Sequence, residues 1–164
     1  MSKAPAAIRP RAVVIFDGGR PKLRKRAEPL LPVVERYFEV VSVQTDLDAA
    51  LEAHGAELAV TMGGDGTILR TARLMQDQQL PVVGVNLGNV GFLAALQPEH
   101  LDQALPEVAA GRHLLIDHLM FRWSVVNDQG ETEPQLGLNE AAVLGGAPFS
   151  MLEARLFIDG DLVA

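Results

Sequence analysis

The chain has 164 residues, of which 48% are apolar, with no cysteine and a net charge of −7. That length carries one ordinary domain with a core of its own. The acidic balance argues against nucleic acid as a main partner, and the missing cysteines exclude disulfides, thiol catalysis and Cys-ligated zinc.

The opening "MSKAPAAIRPR" lacks the apolar stretch of a signal peptide, and no apolar run reaches the length of a membrane span. No membrane association is expected, and the expected location is cytoplasmic. "AVVIF" (12–16) ends in Asp17-Gly18-Gly19 and reads as a buried strand leaving into a loop. Residues 22–37 carry helical apolar spacing at Leu23, Ala27, Leu30, Leu31 and Val34, broken or kinked by Pro29 and Pro32. "FEVVSV" (38–43) reads as a second strand, and Asp46 is placed to cap a helix over "LDAALEAH" (47–54), stopped by Gly55.

"ELAVTM" (57–62) is the next buried strand, and the spacing of Ile68, Leu69, Ala72 and Met75 predicts a helix after it. "VVGV" (82–85) completes a strand–helix–strand unit. A helix over 98–111, disturbed at Pro106, follows. Beyond it the texture changes to strand-like text at 114–126, a turn at 127–131, and further strand-like text at 136–145 and 152–158. Asp159-Gly160 is a hairpin signal whose return strand is very short. The expectation is an α/β domain over 1–111, a Rossmann-like open parallel sheet with helices on both faces. An antiparallel β domain over 112–164 follows and looks cut short.

His54, His100, His113 and His118 lack the spacing that puts two ligands on one helix face. His113 and His118, five apart in strand-like text, are expected on opposite faces. No residue is singled out as a metal ligand.

The chemistry gathers in "MGGDGTILRTARLM" (62–75), where Gly63, Gly64 and Gly66 bracket Asp65. With parallel strands, the loops after residues 16, 62 and 85 share the carboxyl edge of one sheet, where such sheets bind ligands. Glycines there let backbone amides approach phosphate oxygens. The loop is neither a Walker A sequence, since no Gly-Lys-Ser/Thr follows, nor GxGxxG, since the third glycine position is Leu69. A bare carboxylate beside phosphates either holds magnesium or accepts the proton of an attacking hydroxyl, which is kinase chemistry. The plainer alternative is a tight turn in which Asp65 satisfies free amides near the helix start.

This loop, followed by "LPVVGVNLGNVGFLAAL" (80–96), resembles the NAD kinases, which pair a GGDGT loop with a Pro-Val-x-Gly-(Ile/Val)-Asn-x-Gly-x-x-Gly-Phe-Leu segment. Their Asn-Glu or Asn-Asp pair is present in "GLNEAAV" (137–143). GGDGT alone is shared with diacylglycerol-type lipid kinases, but their "GTGNDFA"-like stretch is absent here. Lipid kinase and non-catalytic nucleotide-binding fragment stand as the alternatives. The resemblance covers nearly the whole chain, whereas the family's "TPTGSTAY"-like continuation does not follow.

The resemblance implies transfer of the γ-phosphoryl group of ATP, or of polyphosphate, to the adenosine 2′-hydroxyl of NAD, with Mg2+ or another divalent cation bound with ATP. It implies that Asp65 is catalytic and meets that hydroxyl, and that Gly66, Phe92, Asn139 and Glu140 also bind NAD. Gly63, Gly64, Gly66, Thr67 and Arg70 would face phosphates. A homo-oligomer is expected. Read by their chemistry alone, Thr67 suits a helix cap, Phe92 core packing, Arg70 a solvated surface, and Asn139-Glu140 an exposed polar pair. The five basic residues in "RPKLRKR" (20–26) suit either a solvated helix face or attraction of ATP. Asp117-His118-Leu119 departs from a Glu-Arg-Met-like stretch of the family, leaving open a charge contact at His118.

Overall fold

Four parallel strands carry the first two thirds of the chain. In the computed structural model, which describes residues 9–88, 91–147, 151 and 153–163, they are β1 (Arg11–Ile15), β2 (Glu39–Gln44), β3 (Leu58–Gly63) and β4 (Val82–Asn86). The sheet order is β2-β1-β3-β4. Residues 1–8, which open the chain, Asn89 and Val90 of the second motif, Leu152 of the expected late strand, and Ala164 lie outside the described residues. Among those described, no helix is long and apolar enough to cross a membrane.

The central strands are mostly apolar and almost wholly buried because both faces of the sheet are covered. On one face Ala12, Val14, Val60 and Met62 pack with Ala27, Val34, Leu101 and Leu105. These come from α1 (Pro21–Ala27), α2 (Leu31–Tyr37) and α4 (Leu101–Ala109). On the other face Val13, Ile15 and Ala59 pack with Met75 of α3 (Asp65–Met75) and with Leu47 and Ala56 of an irregular segment. Thr61 and Thr71 pair their hydroxyls at 3.3 Å inside that second layer. The sheet therefore has helices on both faces, as its apolar runs predict.

The prolines act as expected in the first connection. Pro29 and Pro32 split it into α1, a 3-10 turn at Glu28–Leu30, and α2, with Pro32 in the first turn of α2, where a missing amide costs nothing. Pro106 does not end its helix: α4 runs through it to Ala109, forgoing the bond to the carbonyl of Asp102.

The helix expected over 47–54 does not form. The Asp46 carboxylate does accept the Asp48 amide at 2.9 Å, as a cap would, but the chain then stays irregular. Side chains of the strands take up its carbonyls: Ser42 Oγ donates to Glu52 at 2.9 Å and Arg11 Nη2 donates to His54 at 2.6 Å. An eight-residue helix has little stability of its own, so these bonds and the burial of Leu47 decide its shape. His54 and Gly55 close the segment at positive φ, +45° and +73°.

The later strands are also shorter than expected. β5 (Met120–Trp123) pairs antiparallel with β8 (Gln135–Leu138), and β6 (Val126–Asn127) with β7 (Gly130–Glu131) around the expected turn. Residues 114–119 and 140–147 are irregular and mostly exposed, so His113 and His118 do not sit on a strand. Among the described residues of the late strand expected over 152–158, β9 (Phe157–Ile158) is the part that forms. It pairs with β10 (Asp161–Leu162) through Asp159 and Gly160, whose φ values of +52° and +92° suit a type I′ turn. The ring of Phe121 lies over Gly137, its cross-strand partner in the same ladder, while Leu114, Leu119, Val143 and Leu144 remain exposed.

Candidate active site

The loops after β1, β3 and β4 meet at the carboxyl edge of the sheet. Leu87 donates its amide to the Gly63 carbonyl at 3.0 Å, joining the β4 loop to the β3 loop. The buried Asn86 side chain accepts the Gly88 amide at 2.9 Å and shapes the same turn. Arg26 of α1 reaches across to donate to the Leu87 carbonyl. One residue of the basic cluster is thus built into this edge, and Arg24 pairs with Glu28 at 2.6 Å.

The three glycines of the β3 loop have different reasons to be there. A Cβ on Gly63 would lie 2.6 Å from the Cβ of Thr67, so that glycine is required by packing. Around Gly64 and Gly66 a Cβ would meet nothing within 4 Å. Neither has a positive φ, so the fold itself asks for no glycine at either position. What these two keep open is access to the backbone from outside. Thr67 is buried over Gly63 and makes no capping bond; the chain enters α3 through amides of Thr67 and Ile68 that donate to the Gly64 carbonyl.

Asp65 is not a bare carboxylate. Its Oδ2 accepts the amide of Phe92 at 2.8 Å, and its Oδ1 accepts those of Leu93 and Ala94 at 3.0 and 3.2 Å. These amides, that of Phe92 above all, hold its pKa below the ordinary aspartate value, so it is ionised at neutral pH. It satisfies free amides, as the plainer reading of the loop expects, but those of a segment nearly thirty residues away rather than those of its own helix. A carboxylate has about four lone-pair positions, and three are taken.

The ring of Phe92, next to this carboxylate in space, is fully exposed, which rules out core packing for it. Arg70 is not simply solvated either: Nη1 donates to Asp17 Oδ2 at 3.2 Å and Nη2 to Asp48 Oδ1 at 2.9 Å. Sequence reasoning missed both carboxylates as partners, although Asp17 already stood out in its own glycine loop. Asn139 and Glu140 lie just past the end of β8, with Asn139 at φ +72° and the Glu140 amide donating to the Leu138 carbonyl at 3.0 Å. Both are exposed, and among the described residues no side-chain hydrogen bond joins either to the glycine loop. The structure thus brings Asp65, Phe92 and the glycines together, with Arg70 turned toward the loop after β1, and among the described residues no hydrogen bond ties the Asn-Glu pair to them.

Residues 23–113, more than half of the chain and including the whole glycine loop, match the family model for the ATP-NAD kinase N-terminal domain. The chain belongs to the NAD kinase family. It is 35% identical to the NAD kinase of Rhodopirellula baltica over 153 residues, which is 93% of this chain and 49% of that protein. It is 43% identical to the NAD kinase of Rhodococcus jostii over 128 residues, 77% of this chain and 39% of that protein. The chain thus spans half or less of the length of these curated relatives. Among solved structures, yeast NADH kinase complexed with NADH shares the fold, with a TM-score of 0.59 at 21% identity over 83% of this chain and 51% of that one.

Proposed function

We propose that this chain carries the acceptor-activating half of an ATP-dependent NAD kinase, which moves the γ-phosphoryl group of ATP to the 2′-hydroxyl of the NAD adenosine ribose. What carries the reading is the Asp65 carboxylate, ionised, oriented by three amides and flanked by two glycines that the fold does not need. Oδ2, which accepts one amide where Oδ1 accepts two, is the oxygen with room for a substrate hydroxyl.

A carboxylate whose acidity has been strengthened is a weak base. Phosphoryl transfer is loose, however, and depends chiefly on position and charge neutralisation. Asp65 therefore aligns the 2′-hydroxyl with the γ-phosphorus and takes its proton late, as the new P–O bond forms and the bond to ADP breaks. The open backbone at Gly64 and Gly66 and the guanidinium of Arg70 face the phosphates, with Thr67 holding the loop in shape from below. Phe92 lines the nucleotide, and Asn139 and Glu140 take the adenine and ribose hydroxyls once the later part of the chain closes over the site.

Among the described residues no three acidic or histidine side chains cluster as a metal site. A divalent cation such as Mg2+ would therefore enter with ATP, held mainly by phosphate oxygens and water. Bound there, it neutralises phosphate charge. A homo-oligomer in the cytoplasm, with polyphosphate as a second donor, completes the proposal.

The test is formation of NADP from NAD and ATP, read with an NADP-specific dehydrogenase, on this chain and on one extended by the sequence that follows in its relatives. The expected result is NADP in the extended form that disappears on Asp65→Ala. Absence of NADP from both forms leaves a nucleotide-binding fragment as the reading.

A further inference from the structure

Asp17, Asp48 and Arg70 come from three different connections, after β1, after β2 and after β3, and meet on one guanidinium. The two carboxylates are held very differently. Asp17 has a side chain only 18% exposed, and its other oxygen accepts the Gly19 amide at 3.1 Å. Its loop is fastened to the β2 exit by the Gly18 amide on the Thr45 carbonyl at 2.8 Å. A Cβ on Gly18 would lie 2.8 Å from that of Thr45, so the two loops are in direct contact. Asp48, by contrast, has a side chain 88% exposed, in a segment with no regular structure. Ion pairs of that exposed kind contribute little and exchange readily, whereas a pre-oriented, half-sheltered partner is retained. The guanidinium itself is 40% exposed and has further donors to offer.

We infer that Asp17 is a positioning residue of the phosphoryl-donor site and that Asp48 occupies, in the free protein, the place of a phosphate oxygen of the donor. This rests on the donor role of Arg70 proposed above. When a polyphosphate arrives, Nη2 passes from Asp48 to a phosphate oxygen, and Nη1 stays on Asp17. No covalent step is involved. The fixed partner sets where the guanidinium points, and the loose one competes with the ligand.

The two variants Asp17→Asn and Asp48→Asn separate this from simple charge. Each removes one negative charge, so long-range electrostatics alone makes both bind polyanions more tightly. The inference gives them opposite signs. Calorimetric titration of the chain with MgATP, and separately with inorganic tripolyphosphate, should show about three- to tenfold tighter binding for Asp48→Asn. Binding should weaken by about the same factor for Asp17→Asn, while NAD titrations change less than about twofold. In an Arg70→Gln background both differences should vanish. Equal tightening in the two variants, no change in either, or no binding of either probe by the parent overturns the inference. Because Asp48 is exposed, Asp48→Asn compared in the parental and Arg70→Gln backgrounds keeps the test decisive even if Asp17→Asn fails to fold: tightening that persists without Arg70 is simple charge and overturns the inference. NADP formation is not read here, so loss of the NAD kinase reading and loss of this one give different patterns.

Discussion

Gly91 and Asp65 share one volume. A Cβ on Gly91 would stand 2.6 Å from the carboxylate carbon and 2.7 Å from Oδ2, and nearer still to Oδ1. Gly91→Ala must therefore push the carboxylate away from the amides of residues 92–94. A displacement of about 1 Å can cost on the order of 100-fold in rate, so turnover should fall by about that factor or more. Thermal melting of the same variant should drop only modestly, because the sheet core is untouched. Unchanged turnover would show that Asp65 has slack the geometry does not suggest.

Asp65→Asn should abolish phosphoryl transfer and also loosen the segment it holds. An amide offers one acceptor oxygen, and its NH2 group faces backbone N–H donors. At least one of the three bonds is therefore lost, at about 1–3 kcal/mol for an unsatisfied partner. Hydrogen exchange should show faster exchange at the amides of Phe92, Leu93 or Ala94, with β3 unaffected. A variant with parental protection at all three amides would contradict the bracing role.

The same bonds fix the pH dependence. The Asp65 pKa in the folded chain is shifted below the ordinary value of 3.8, chiefly by the Phe92 amide. Its contribution to stability is therefore complete above that value and is lost as pH falls through the lower, folded-state value. Protection of the 92–94 amides, corrected for intrinsic exchange, should be flat from about pH 5 to 8 and decline only in acid. Asp65→Asn should remove the acid decline. A midpoint near neutrality would mean that another group controls this segment.

The glycines of the loop should respond in opposite ways. Gly63→Ala meets Thr67 at 2.6 and 2.9 Å and should destabilise by about 1–3 kcal/mol, as overpacking does. Gly66→Ala has open space in the first turn of α3 and should stabilise by up to about 1 kcal/mol. Its new methyl group nevertheless stands where a phosphate would approach, so nucleotide binding should weaken while the melting temperature rises. Chemical denaturation paired with calorimetry on the two variants checks both signs. A Gly66→Ala chain that is more stable and binds ATP as the parent does would remove Gly66 from the phosphate site.

What could be read from the sequence was local. Continuous apolar runs identify β1, β3 and β4, since a strand buried on both faces needs no alternation. The turn at Asp159-Gly160 and the proline breaks of the first connection follow from backbone restrictions carried by the residues themselves. The segment 47–54 has the Asp46 cap and Gly55 stop of a helix, but the carbonyl partners that decide its shape, Ser42 and Arg11, lie outside it. The site was legible to the same degree. Glycine spacing pointed to the loop, but the bonds that define Asp65 span 27 to 29 residues, and that between Arg70 and Asp17 spans 53. No period or cap signal encodes pairings of that range.

The segment that supplies amides to Asp65 has another effect at the margin of the sheet. After leaving β4 it turns back so that the Asn86 amide donates to the Leu96 carbonyl at 2.7 Å and the Leu96 amide to the Gly84 carbonyl at 3.0 Å. Around Gly84–Asn86 the free side of β4 is thereby taken up by the chain's own backbone, which shortens the ladder a passing strand could extend there. In that four-stranded sheet β2 forms the other margin, and its exit lies against the loop of Asp17, where the Gly18 amide meets the Thr45 carbonyl. A change that loosened residues 91–96 would expose the β4 margin together with the carboxylate, coupling damage at this site to a new tendency to aggregate.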